Sequence, residues 1–301
     1  MKLTLGPVLF NWPTPMWADF YARIADEAPV ERVVVGEVVC SKRSPFRSDA
    51  LAGVVERLER GGKEVVLATL ALPTLKREVA EIIDIAEDGG HLIEVNDVTA
   101  LAAIAGRPHV AGPFLNIYNE DTLAELAALG TTSVCLPPEL PLASIAAIAR
   151  HRGAANIEVF AFGRAPLAVS ARCYHARAHG LAKDACKYVC EQDLDGLLVE
   201  TLDGTAFLAV NGIETLAAGV TVLGPEVADL ERAGVERLRL SPHTCDMVAV
   251  IAAYRDLLDG RIDGGRLVAR LSALALPGAI VNGYAHGKAG ACRTACVPAP
   301  N

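Results

Sequence analysis

Arg32 to Leu70 reads RVVVGEVVCSKRSPFRSDALAGVVERLERGGKEVVLATL, and this stretch decides the fold. It opens on a Val-rich strand, Arg32 to Val39, and closes on a second one, Glu64 to Leu70. Between them Asp49 to Arg60 carries apolar residues at helical spacing, and Gly61-Gly62 stand where a helix is expected to end. Two strands joined by a crossover helix must pair in parallel, so the stretch is one β–α–β unit.

The same alternation runs outward in both directions. Strands are predicted at Leu3 to Leu9, His91 to Val95, His109 to Ile117, Thr132 to Leu136, Ile157 to Phe162 and Arg237 to Leu240. Helical patterns lie at Trp17 to Ala28, Leu75 to Glu87, Asp121 to Leu129, Leu142 to His151 and Glu226 to Ala233. Eight strands at this spacing predict an α/β fold, a closed (β/α)8 TIM-like barrel. The open doubly wound sheet is disfavoured because no G-x-G-x-x-G follows a strand.

The repeat breaks after strand seven. About 60 residues separate Phe162 from the helix before strand eight, and a connection so long inside a compact domain is usually functional. This insertion, residues 164–225, holds three cysteines and a predicted β-hairpin over the cysteine loop. In it LLVETL and AFLAV flank Asp203-Gly204, which predicts a type I′ turn. The expected organisation is a single barrel domain over residues 1–285, insertion included, and a C-terminal tail over 286–301.

With 301 residues, 52% of them apolar, the chain can bury a large core, and its net charge of −8 argues against a broad nucleic-acid surface. The start, MKLTLGPVLFNWP, is broken by Gly6, Pro7 and Pro13 and reads as a first strand rather than a signal peptide. No segment approaches the roughly 18 uninterrupted apolar residues of a spanning helix, and Met247 to Tyr254 reads as a buried helix face. Eight cysteines without an export signal predict reduced thiols or metal ligands in the cytoplasm.

Four of those cysteines are set to converge. Cys40 closes strand two; Cys173, Cys186 and Cys190, spaced Cys-x12-Cys-x3-Cys, leave the end of strand seven. All four then emerge at the barrel face where active sites are built, a donor set for a four-thiolate metal or iron–sulfur site. Zinc is the inorganic alternative, although its usual pattern pairs two C-x2-C units. Cys135, inside TSVCL, reads as a buried core residue, and Cys245 lies on the active face without a ligand role. Cys292 and Cys296 read as two free thiols of the tail. His175 and His179 in HARAH could face one metal if helical, a pattern that is more often incidental.

Cationic residues near the cysteines, Lys42, Arg43, Arg172, Arg177, Lys183 and Lys187, could offset the charge of a thiolate site, with Arg43 and Arg172 foremost. Polar residues in or just after strands, Glu37, Glu94, Asn116, Tyr118, Asn119, Glu139 and Glu158, are candidates for binding an organic substrate. No catalytic acid or base is assigned among them, because a buried Glu–Arg structural pair accounts for such a residue equally well. Trp12, Trp17 and Phe20 could anchor a partner or fill the core.

The segments LGPVLFNWP, GEVVCSKR, AGPFLNIYN, PLAVSARC with its two following cysteines, RLSP and NGY resemble the UbiV family of ubiquinone-biosynthesis proteins, in the collagenase-like peptidase superfamily. That resemblance implies a 4Fe-4S cluster held by Cys40, Cys173, Cys186 and Cys190. It also implies a UbiU-like partner in a heterodimer, and a role in hydroxylating the prenylated quinone precursor without dioxygen, with prephenate as the proposed oxygen donor. The superfamily's peptidase-like signature places a Cys shortly after E-x-F-x-x-G, whereas EVFAFGRAP here continues with Arg164, Ala165 and Pro166, which speaks against a peptidase. The competing classes are an RNA-modifying relative, disfavoured by acidity, and an electron-transfer or scaffold subunit without catalysis.

Overall fold

The computed structural model describes residues 1–294, apart from the side chain of Asp88. In chain order the elements are β1 (Lys2–Leu5), α1 (Thr14–Glu27), β2 (Arg32–Val35), α2 (Ser44–Arg60), β3 (Glu64–Ala68), α3 (Lys76–Asp88), β4 (Leu92–Val95) and α4 (Val98–Ile104). There follow β5 (His109–Ala111), α5 (Glu120–Ala128), β6 (Thr131–Leu136), α6 (Leu142–Arg150), β7 (Asn156–Gly163), β8 (Pro166–Val169) and α7 (Tyr174–Ala178). The chain continues through β9 (Leu197–Glu200), β10 (Ala206–Asn211), β11 (Glu214–Ala217), β12 (Val220–Val222), α8 (Val227–Ala233), β13 (Arg237–Leu240), α9 (Met247–Leu258), α10 (Gly264–Ser272) and β14 (Ile280–Val281).

Strands β1 to β7 pair in parallel in sequence order, and β13 closes the ring by pairing in parallel with both β7 and β1. This is the eight-stranded barrel that the alternation predicts, with β13 occupying the predicted span Arg237 to Leu240.

Several strands are shorter than predicted, for a local reason. β2 stops at Val35 because Gly36 takes φ +140°, where a Cβ would meet the Ala68 carbonyl at 2.7 Å. The apolar residues beyond it, Val38 and Val39, are buried in the loop rather than in the sheet. β5 gives way to a 3₁₀ turn at Pro113–Leu115. α2 begins at Ser44, ahead of the predicted Asp49, because Pro45 in the first turn costs no hydrogen bond. α4, capped by the Asp97 carboxylate on the Thr99 N–H, was not expected.

The interior of the barrel is polar at its centre. Arg239 of β13 donates to Glu94 of β4 and to Glu158 of β7, and Thr4 of β1 donates to Glu158 at 2.6 Å. β4 is no neighbour of β13, so the pair meets across the lumen. Burial raises the cost of charge on Glu158, but Arg239 and the Thr4 hydroxyl hold its carboxyl below the ordinary value.

The insertion after β7 is larger than one hairpin. β8, β11, β10 and β9 form a four-stranded antiparallel sheet in that order, after which β12 returns antiparallel to β7. The turn at Asp203-Gly204 is not type I′: only Gly204 has positive φ, and the Gly204 N–H donates to Thr201 O with Thr201 N–H donating to Thr205 O. One residue fewer in the left-handed region is needed because the loop is longer than two residues. Among the described residues no helix is long and apolar enough to cross a membrane. Asn282 holds the described end of the tail, accepting from Thr294 N–H at 2.7 Å; Cys296 lies outside the described residues.

Candidate metal centre

Glu37 builds the first half of the site. Its carboxylate accepts from the N–H groups of Val39 and Cys40 at 3.0 and 2.9 Å, which folds the chain back just after β2 and presents the Cys40 thiol. Arg47, one turn into α2, donates to the same carboxylate at 3.0 Å. Glu37 therefore shapes the cysteine loop and is not free for a substrate.

Arg43 joins this loop to the rest of the molecule. Although only 1% exposed, it donates from Nη1 to Leu9 O at 2.7 Å and from Nη2 to Asn211 Oδ1 at 2.9 Å, and lies 3.8 Å from Glu37. Its Nε has no protein partner. Burial works against its charge, but Glu37, Cys190 and Cys40 outweigh that and raise its pKa above the ordinary arginine value. Gly212, at φ +63°, leaves room for it: a Cβ there would lie 2.8 Å from Nη2.

The insertion supplies the other three thiols. Cys173 caps α7 and accepts from the Ala176 N–H at 3.4 Å. Cys186 and Cys190 are brought round by Lys187 and Tyr188, consecutive non-glycine residues at φ 49° and 54°. Such conformations cost on the order of 1–3 kcal/mol each and persist only where the surroundings enforce them. Tyr188 is held by an edge contact with Phe46 at 4.8 Å.

Cys40, Cys173, Cys186 and Cys190 all line one cavity, together with Arg43 and His175. All four are free thiols. Burial pushes the Cys40 and Cys173 thiols up; Arg43 and a backbone N–H oppose this at Cys40, and the Ala176 N–H opposes it at Cys173. Four soft donors, backbone N–H groups aimed at two of them and a buried cation with an unused N–H are what an anionic metal–thiolate group needs. The residues present fit such a group.

The remaining candidates separate by burial and partner. Lys42 donates to Lys183 O at 2.7 Å and Lys183 to Ala171 O at 3.0 Å, tying the two cysteine segments together. Arg172 and Arg177 are exposed. Glu94 and Glu158 belong to the Arg239 cluster, Asn119 caps α5, Asn116 closes a 3₁₀ turn at φ 56°, and Tyr118 bonds Glu139. Trp12 and Trp17 are core residues, Phe20 is half-buried against Trp12, and Cys135 is fully buried in β6.

Sequence reasoning missed three features. An apolar cavity lies between α2 and α3 beside the Cys40 loop, lined by Trp17, Glu37, Arg47, Leu51, Leu67 and Ile82. His243 forms a dyad with Asp195 at 2.9 Å, but its other nitrogen accepts the Arg164 N–H at 3.0 Å, which leaves no basic nitrogen for a nucleophile. Asp193 pairs with His175, and nothing in the EQDLDG stretch distinguishes it from an ordinary surface acid.

The sequence matches the family described as peptidase family U32 over residues 17–294. Among solved structures, a chain of the tryptophan synthase complex from Pyrococcus furiosus is similar over 90% of this chain and 96% of its own, at 13% identity and a TM-score of 0.41.

Proposed function

The chain belongs to peptidase family U32, and from that membership together with its converging thiols we propose that Cys40, Cys173, Cys186 and Cys190 hold a 4Fe-4S cluster. On this reading the protein is the cluster-bearing subunit of a dioxygen-independent hydroxylation system in ubiquinone biosynthesis, acting with a UbiU-like partner on the prenylated aromatic ring. One observation carries the proposal: four free thiols from two distant segments line a single cavity against a fully buried arginine.

A cluster at this position would supply one-electron transfer, since four thiolates complete its coordination. The chain's own residues do the rest. Arg43 offsets the negative charge of the thiolates, the Ala176 N–H donates to Cys173, and Glu37 fixes the loop that presents Cys40. The cavity beside Trp17 and Arg47 suits the apolar part of a prenylated ring, with Trp17 Nε1, which has no hydrogen-bond partner, to meet a polar group. Peptide hydrolysis forms no part of the proposal: Arg164 follows Gly163, its backbone N–H saturates His243, and its side chain donates to the carbonyls of Ala217 and Pro277.

The test is anaerobic purification with iron and sulfide analysis and electron paramagnetic resonance before and after reduction, repeated with Cys186→Ala and Cys190→Ala. About four irons per chain, lost in both variants, is the expected result. Zinc in place of iron, or iron retained by the variants, would reject it.

A further inference from the structure

A second group of metal-binding atoms lies beside the thiols, outside the proposed cluster ligands. His175, His179 and Asp193 each offer one donor atom, and the three atoms lie within 4.8 Å of one another. Ligands at right angles on a metal at about 2.1 Å stand about 3 Å apart, and opposite ligands about 4.2 Å. His175 Nε2 and Asp193 Oδ2 are already 2.9 Å apart.

The orientation of the two rings is the second observation. His175 Nδ1 faces Val210 O at 3.1 Å and His179 Nδ1 faces His175 O at 3.0 Å. In each ring Nδ1 thus lies against a backbone carbonyl to which it can donate, and Nε2 is the nitrogen turned toward the group of three. That is the way metal-bound histidines are usually held. The rings stack with centroids 5.4 Å apart and planes 6° from parallel. Without a metal, the contact of His175 Nε2 with Asp193 is a hydrogen bond that needs a proton on Nε2, and a bound cation would take the place of that proton.

From this geometry we infer that His175, His179 and Asp193 form a mononuclear site for a divalent first-row metal ion, distinct from the four-thiolate site. Two imidazoles and one carboxylate leave coordination positions open, the pattern of sites that bind a further small ligand at the metal. Solvent reaches those positions, because His179 is exposed and the Asp193 side chain is 27% accessible while His175 is fully buried. His175 also lines the thiol cavity, so the ion would sit directly beside the proposed cluster.

The experiment is equilibrium dialysis of the anaerobically purified full chain against micromolar Zn(II), with zinc, iron and acid-labile sulfide counted per chain. Wild type is compared with His179→Ala, Asp193→Asn and, as a control elsewhere on the surface, His151→Ala. The expected result is about one zinc fewer in His179→Ala and in Asp193→Asn, with iron and sulfide unchanged and the His151→Ala count equal to wild type. Unchanged sulfide reports a folded chain, and the iron and sulfide counts judge the cluster separately from the zinc. Equal zinc in wild type and both site variants, or no zinc bound by wild type, would overturn the inference.

Discussion

Arg43 makes contacts that no other residue of the site combines. Its guanidinium spans the loop after β1, the Cys40 loop and the insertion sheet through Leu9, Glu37 and Asn211, all while 1% exposed. Removing one member of a buried charged network strands the others and costs about 3–5 kcal/mol. Arg43→Met is expected to lose about that much in urea unfolding, and to lose iron on anaerobic purification even though all four cysteines remain. Arg43→Lys keeps the charge but cannot donate to Leu9 and Asn211 together, so it should fall between the two. Wild-type stability in Arg43→Met would show that the network is not what holds the loops together.

At the scale of elements, the turn between β10 and β11 decides how the insertion meets the barrel. Gly212 presents its carbonyl to the His175 N–H at 3.4 Å and its bare α-carbon to Arg43. Gly212→Ala brings both a strained φ of +63° and a Cβ 2.8 Å from Arg43 Nη2. The expected cost is about 1–3 kcal/mol, with diminished iron content. Gly204→Ala is the comparison: its φ is +79°, but nothing lies within 4 Å of the added methyl. It should lose stability without losing iron. Equal iron loss in the two variants would trace the effect to general destabilisation of the insertion.

For the whole molecule, the pH dependence of unfolding has an identifiable source in Glu214. Burial pushes its carboxyl up to about 8, against the lowering effects of Asn211 and Arg43, and its Oε1 has no protein partner. The folded protein therefore holds a proton that the unfolded chain releases near the ordinary glutamate value. As pH rises from that value toward 8 the unfolded state binds fewer protons, so stability falls, and it levels off once the folded carboxyl has ionised. Glu214→Gln should match wild type near pH 4.5 and exceed it by a few kcal/mol at pH 8. Denaturant midpoints across that range test this; parallel curves for the two proteins would contradict it.

The barrel, and the two segments from which the thiols come, can be read from local signals in the chain. Strand period, crossover spacing and terminal glycines are local signals, and they specify parallel pairing because a crossover helix permits nothing else. The convergence of Cys40, Cys173, Cys186 and Cys190 on one cavity was legible because Cys40 follows β2 and the other three lie in the insertion that leaves β7. Arg43 stood out by its place in a cysteine segment, although the same reasoning favoured Arg172, which is exposed.

Which polar groups are scaffold depends on contacts that form when the barrel closes. Glu94 and Glu158 at strand positions look like substrate residues until Arg239, 145 and 81 residues away, is seen between them. Asp193 acquires significance only when α7 places two imidazoles beside it. β8 hides behind Pro166, which reads as a break but here starts a strand of the insertion sheet. Partners so distant in sequence leave no periodic trace, because burial and hydrogen bonding are settled by which segments the closed barrel brings together.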